Sequence, residues 1–110
     1  MNIKGFCRFY KHLYIGNSIK NERLVKWKLK HGAGQFGIFV ITESEGGEGN
    51  QLEIMHCAFL KQKYYLRHPI MVYGIAGSYE EALELLVKIS DEAANAQMAG
   101  DLAGFLSTMN

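Results

Sequence analysis

The polar and apolar positions of this chain change period several times, and each change marks an element. The clearest pattern lies near the end. Ser78-Tyr79-Glu80-Glu81 is a capping box, in which the serine hydroxyl accepts from the Glu81 amide and the Glu81 carboxylate reaches back. Ala82, Leu85, Leu86, Ile89, Ala93 and Ala96 then recur at helical spacing, with Glu80, Glu84, Lys88, Asp91, Glu92 and Asn95 mostly opposite. Gly100 offers a left-handed stop, so the spacing predicts a helix over about 79–99. Asp101 then caps a short helix that turns Leu102, Phe105 and Leu106 inward.

Upstream the period shortens to two. Val25-Lys26-Trp27-Lys28-Leu29-Lys30 alternates apolar and basic residues, which predicts a strand with one wet face. Phe36–Thr42 is apolar on both faces, as a central strand requires. His31-Gly32-Ala33-Gly34 reads as the glycine hairpin between these two. Ser44–Asn50 reads as an exposed connection, and Gln51–Cys57 and Ile70–Ala76 as further strands. The aromatic content of the N-terminal region predicts a strand over about 8–15, and Leu60 with Tyr64 predicts a short helix within 59–67. The expected fold is α+β: one domain over 1–110, with a mainly antiparallel sheet of four to five strands. The long helix packs on one face, where Leu85, Leu86, Ile89 and Ala93 meet Trp27, Leu29, Ile38 and Val40 or the residues facing the other way.

Composition supports a packed core and narrows the class. The 110 residues are 48% apolar and include one proline, which excludes a disordered or collagenous chain. No apolar run approaches the roughly 18 residues of a membrane span. Met1–Phe6 carries no signal-peptide core, so the expectation is a cytoplasmic domain without membrane contact. Cys7 and Cys57 form no CxxC pair and read as reduced thiols.

Net charge is +1, but its distribution is uneven. Residues 1–42 hold eight Lys and Arg against Glu22 alone, whereas residues 78–110 hold six acids against Lys88 alone. Such a split serves either an anionic partner or an attraction between the two halves, within one chain or across a dimer. The second reading leads, because a dedicated nucleic-acid binder carries a net basic balance.

The chemical signals are each weighed against a plainer role. Gly32-Ala33-Gly34-Gln35-Phe36-Gly37 matches GxGxxG, but a dinucleotide site needs a helix after it and a strand is expected here. Gly74–Ser78 does pass from strand to helix, yet Glu80 and Glu81 occupy the end a phosphate would use. His12, His31, His56 and His68 with the two cysteines lack metal-ligand spacing, so no metal or cofactor is expected. Glu43, Glu45 and Glu48 read as solvated loop acids and not as acid–base pairs with Glu53. Cys57 with His31 or His68 is the candidate for a small thiol-dependent enzyme. His56, its strand neighbour, points to the other face. Lys26, Lys28 and Lys30 form one basic stripe. Lys61, Lys63, Tyr64, Tyr65, Arg67 and His68 form a second basic cluster interleaved with aromatics, the candidate binding residues for nucleic acid or another anion. The leading expectation is a non-catalytic, homodimeric interaction domain. It follows from the absence of a convergent catalytic set and from a central strand whose second apolar face needs a cover.

Overall fold

The computed structural model describes residues 7–31, 35, 37–43, 52–61, 70–98 and 100–108. In chain order these form β1 (Cys7–Ile15), α1 (Glu22–His31), β2 (Phe39–Glu43), β3 (Leu52–His56), a 3-10 turn (Cys57–Lys61), β4 (Ile70–Ala76), α2 (Tyr79–Asn95) and α3 (Leu102–Thr108). The strands make one four-stranded sheet in the order β1-β4-β2-β3. β4 pairs parallel with β1 and antiparallel with β2, and β2 pairs antiparallel with β3. The α+β class holds, but the sheet is mixed and not mainly antiparallel. Side-chain periodicity shows which way a residue faces, and it carries no information about which strand lies alongside.

Alternation along β4 builds both cores. Ile70, Val72 and Ile75 face one way and join Cys7, Leu29, Val40 and Cys57. Met71 and Tyr73 face the other way and meet Ile41, Ile89, Ala93 and Leu106. Val40 and Ile41 are both fully buried on opposite faces of β2, as the two-sided pattern of Phe36–Thr42 predicts. Helices therefore lie on both sides of the sheet, with α1 over the first core and α2 with α3 over the second. α1 provides the cover that the second apolar face of the central strand needs. Leu85, Leu86, Ile89 and Ala93 meet the Ile41–Tyr73 face, and Trp27 is not among their neighbours.

The largest correction is at 25–30, where the expected strand is the core of α1. Asn21 caps it, its Oδ1 accepting from the Leu24 amide at 3.1 Å. Glu22 opens the helix, and Lys28, Lys30 and His31 close it, each charge complementing the helix dipole. Val25 and Leu29, one turn apart, pack on the sheet. Lys28 is half-buried on a helix flank, a position that a long lysine side chain tolerates, so alternating lysines do not require a strand. Apart from Val25 and Trp27, the stretch also lacks the β-branched and aromatic residues that strands favour. The glycine hairpin consequently has no strand before it, and residues 32–34 lie outside the described set. Of the helix expected within 59–67, the described part is the 3-10 turn.

α2 ends at Asn95 and not near 99. The Met98 amide bonds back to the Ala93 carbonyl at 2.7 Å, and Gln97 takes a left-handed φ of 62°. This is a Schellman stop that returns Met98 to the core. Asp101 then caps α3 by accepting from the Gly104 amide at 2.9 Å. The Tyr10 hydroxyl donates to the Leu106 carbonyl at 2.6 Å and ties α3 to β1.

Ile89 is the largest fully buried side chain of α2. Ile89→Ala should destabilise the fold by about 2–5 kcal/mol, measured as a lower midpoint in urea unfolding with an unchanged slope.

Candidate interaction surface

Two helix faces expose large apolar side chains. On α2 the positions i, i+4 and i+8 are Tyr79, Leu83 and Val87, which are 49%, 40% and 58% exposed. The Tyr79 ring meets Phe39 edge-on at 5.9 Å, and Phe39 meets His56 edge-on at 5.1 Å. The stripe thus continues from the helix onto the start of β2 and the end of β3. Glu80, Glu84 and Lys88 form the exposed row beside it, and Asp91 continues the line one turn on.

On α1 the outward line is Leu24, Trp27 and His31, with Leu24 45% and Trp27 56% exposed. Trp27 and His31 stack at 4.5 Å. His31 Nδ1 lies 2.8 Å from the Trp27 carbonyl oxygen, which makes that nitrogen the protonated one. Lys20 and Arg23 are exposed beside this line, and Lys28 and Lys30 are half-buried on its flanks. Lys26 binds Glu22 at 3.7 Å and lies 5.5 Å from the centre of the Phe9 ring. Lys26, Lys28 and Lys30 therefore do not share one face, because a two-residue step advances about 200° around a helix.

Charge follows the same division. α1 carries Arg23, Lys26, Lys28 and Lys30 against Glu22, and α2 on the other side of the sheet carries Glu80, Glu81, Glu84, Asp91 and Glu92 against Lys88. Among the described residues the Glu22–Lys26 pair is the ion pair present, and it lies within α1. Among the described residues no ion pair joins the basic half to the acidic half.

A third feature joins the C-terminal ends of the parallel strands β1 and β4. The Glu81 carboxylate accepts from the Gly77 amide at 2.7 Å, the Ser18 amide at 3.0 Å and the Ser18 hydroxyl at 2.7 Å. Ser78 caps α2 by accepting from the Glu81 amide at 3.0 Å, so the serine half of the capping box holds. The carboxylate reaches one residue further back than the box requires. A Cβ at Gly16 would lie 2.2 Å from Glu81 Oε1, so glycine there leaves the carboxylate room. Hydrogen bonding by Gly77 and Ser18 holds the Glu81 carboxyl below the ordinary glutamate range. The clamp fills the anion position at the N-terminus of α2 with the chain's own carboxylate. Beside it lies a half-open cleft of about 220 Å3 lined by Asn17, Glu84, Leu85 and Lys88.

Cys57 begins the 3-10 turn, and its thiol donates to the Gln35 carbonyl at 3.6 Å. Because the strand stops at His56, that ring folds back to put Nδ1 4.0 Å from the sulfur, closer than alternation on a continuing strand implies. Nδ1 also accepts from the Ala58 amide at 3.1 Å, which occupies the lone pair a general base would use. Burial pushes the Cys7 thiol up to about 12, with Lys30 opposing the shift weakly. Among the described residues no group of three or more His, Cys, Asp or Glu is placed to hold a metal ion. No helix among them is long and apolar enough to cross a membrane. Lys61 ends the 3-10 turn, while Lys63, Tyr64, Tyr65, Arg67 and His68 lie outside the described residues.

No protein-family model matches the chain, and no curated protein or solved structure matches it significantly.

Two outcomes follow from these geometries. Glu81→Gln removes the charge that three donors share and should cost about 1 kcal/mol at pH 7, allowing for solvent screening. Because the folded carboxyl titrates below its unfolded value, the wild-type advantage is full above the unfolded glutamate pKa. It should fade as the pH falls through the lower folded value, as urea titrations at several pH values would read. Cys7 is buried and its thiol is held far above pH 8, so little thiolate is present. Iodoacetamide should therefore leave Cys7 unlabelled in the native protein and label it in urea, as peptide mass spectrometry would read.

Proposed function

We propose that this chain is a non-catalytic interaction domain that works by self-association, with the α2 stripe of Tyr79, Leu83 and Val87 as its docking surface and a second copy as its occupant. The exposed stripe is the observation that carries this reading. Elsewhere α2 follows its pattern closely, with Ala82, Ile89 and Ala93 buried against the sheet. Val87 and Leu83 lie outside that face, where nothing in the core needs them. Aliphatic side chains at consecutive turns gain little in water, while removing each from it is worth about 1.5–3 kcal/mol. The uneven charge argues for a second copy. The acidic border of the stripe has its complement on the basic face of this same sequence, and the two do not meet inside one chain. The need for a partner does not arise from an open sheet face, since α1 covers it.

Leu83→Glu and Val87→Glu place charge on exposed positions and should leave the fold intact by circular dichroism. Each should shift the protein from assembly to monomer at tens of micromolar in a light-scattering concentration series. A wild type that is monomeric throughout would refute the proposal.

A further inference from the structure

We infer that the contact is heterologous: the α2 stripe of one copy docks on the Leu24–Trp27–His31 line of α1 in the next copy, so that the chain assembles head to tail. This rests on the self-association proposed above and specifies its geometry.

Three features of the two faces fit one another. Both are helical lines of exposed apolar residues, and their lengths match. At 1.5 Å per residue Leu24 to His31 spans about 10 Å, and Tyr79 to Val87 about 12 Å. Their composition is complementary, because α1 offers a large, rigid Trp27 anchor and α2 offers the aliphatic ridge of Leu83 and Val87. Their borders differ in net charge, with Lys20, Arg23 and Lys30 beside the first line and Glu80, Glu84 and Asp91 against Lys88 alone at the second. A symmetric α2–α2 contact would instead bring two acidic borders together, and an α1–α1 contact two basic ones. Like charges brought together at an interface oppose it.

The sheet then decides the form of the assembly. Val25 and Leu29 of α1 enter the core on one side, and Ile89 and Ala93 of α2 enter the core on the other. The two docking lines therefore belong to opposite layers of the molecule. One partner cannot cover both at once, so a two-fold dimer satisfying both contacts is excluded by shape. Repeating the contact gives an open chain of copies, or a ring where the rotation between copies closes. Binding at one end leaves the complementary face free at the other, so size should grow with concentration.

The test uses two variants, each blocked on one face: Leu83→Glu on α2 and Trp27→Glu on α1. Both positions are exposed, and thermal melts confirm that each variant is folded. Sedimentation velocity is then run on the wild type, each variant and their equimolar mixture at low salt. The wild type should pass beyond the dimer as concentration rises, and each variant alone should be monomeric, with affinity at least about tenfold weaker. The mixture should form a heterodimer and stop there, because it holds one intact α1 face and one intact α2 face that match. Raising the salt to about 0.5 M should weaken both the wild-type assembly and this heterodimer. If Leu83→Glu disrupts assembly but Trp27→Glu does not, the contact is α2 to α2. The self-association reading then stands and this inference falls. If Trp27→Glu abolishes retention of the wild type on heparin and leaves assembly unchanged, the α1 face serves a polyanion and the inference falls in the same way. A wild type monomeric at every concentration overturns both.

Discussion

β4 has no face left for water, and the rest of the molecule is arranged around that constraint. Val72 and Ile75 turn one way and Tyr73 the other, all of them buried. A strand of this kind is stable only with partners on both edges and covers on both faces. β1 and β2 provide the edges, and α1 and α2 provide the covers. Because β1 joins β4 in parallel, both strands end on the same side of the sheet, and the loops that follow them lie side by side there. Glu81 uses that proximity to hold Ser18 and Gly77 together.

The same arrangement separates the charges. Once the sheet runs between α1 and α2, the lysines of α1 and the acids of α2 cannot pair with each other. Each helix keeps an outward line that the core does not use, and the two lines differ in sign. The proposed self-association would use this separation, bringing the exposed line of one helix in one copy against that of the other helix in the next. The Glu81 clamp works on a smaller scale. It places a carboxylate at the helix end that would otherwise attract an anion.

Much of the local structure was legible in the sequence. Ile70–Ala76 declared itself by an unbroken apolar run, and the two-sided burial of β2 by apolar residues at both parities. The Ser78 cap and the Asp101 cap were legible because capping depends on residues three positions apart. The reading failed at α1, where alternating lysines imitate a wet strand face. The opposing signals were also present: Asn21 as cap, Glu22 at the start and a basic end. A lysine can sit on a helix flank as comfortably as on a strand, so its period says little about either.

The candidate surface was legible only in part. Tyr79, Leu83 and Val87 interrupt the polar side of α2 at a spacing that the pattern already contains, yet an apolar residue on a helix is ordinarily read as core. The sequence by itself determined that the central strand is buried on both faces, where α2 and α3 begin, and that the charge is divided between the two ends of the chain. These depend on contacts within a few residues. Only the tertiary structure decided that β4 lies between β1 and β2, that α1 and α2 take opposite faces, and that Trp27 and Val87 are left outside. Those outcomes depend on which strand meets which and on how much surface each helix covers, and both are set by packing between segments far apart in the chain.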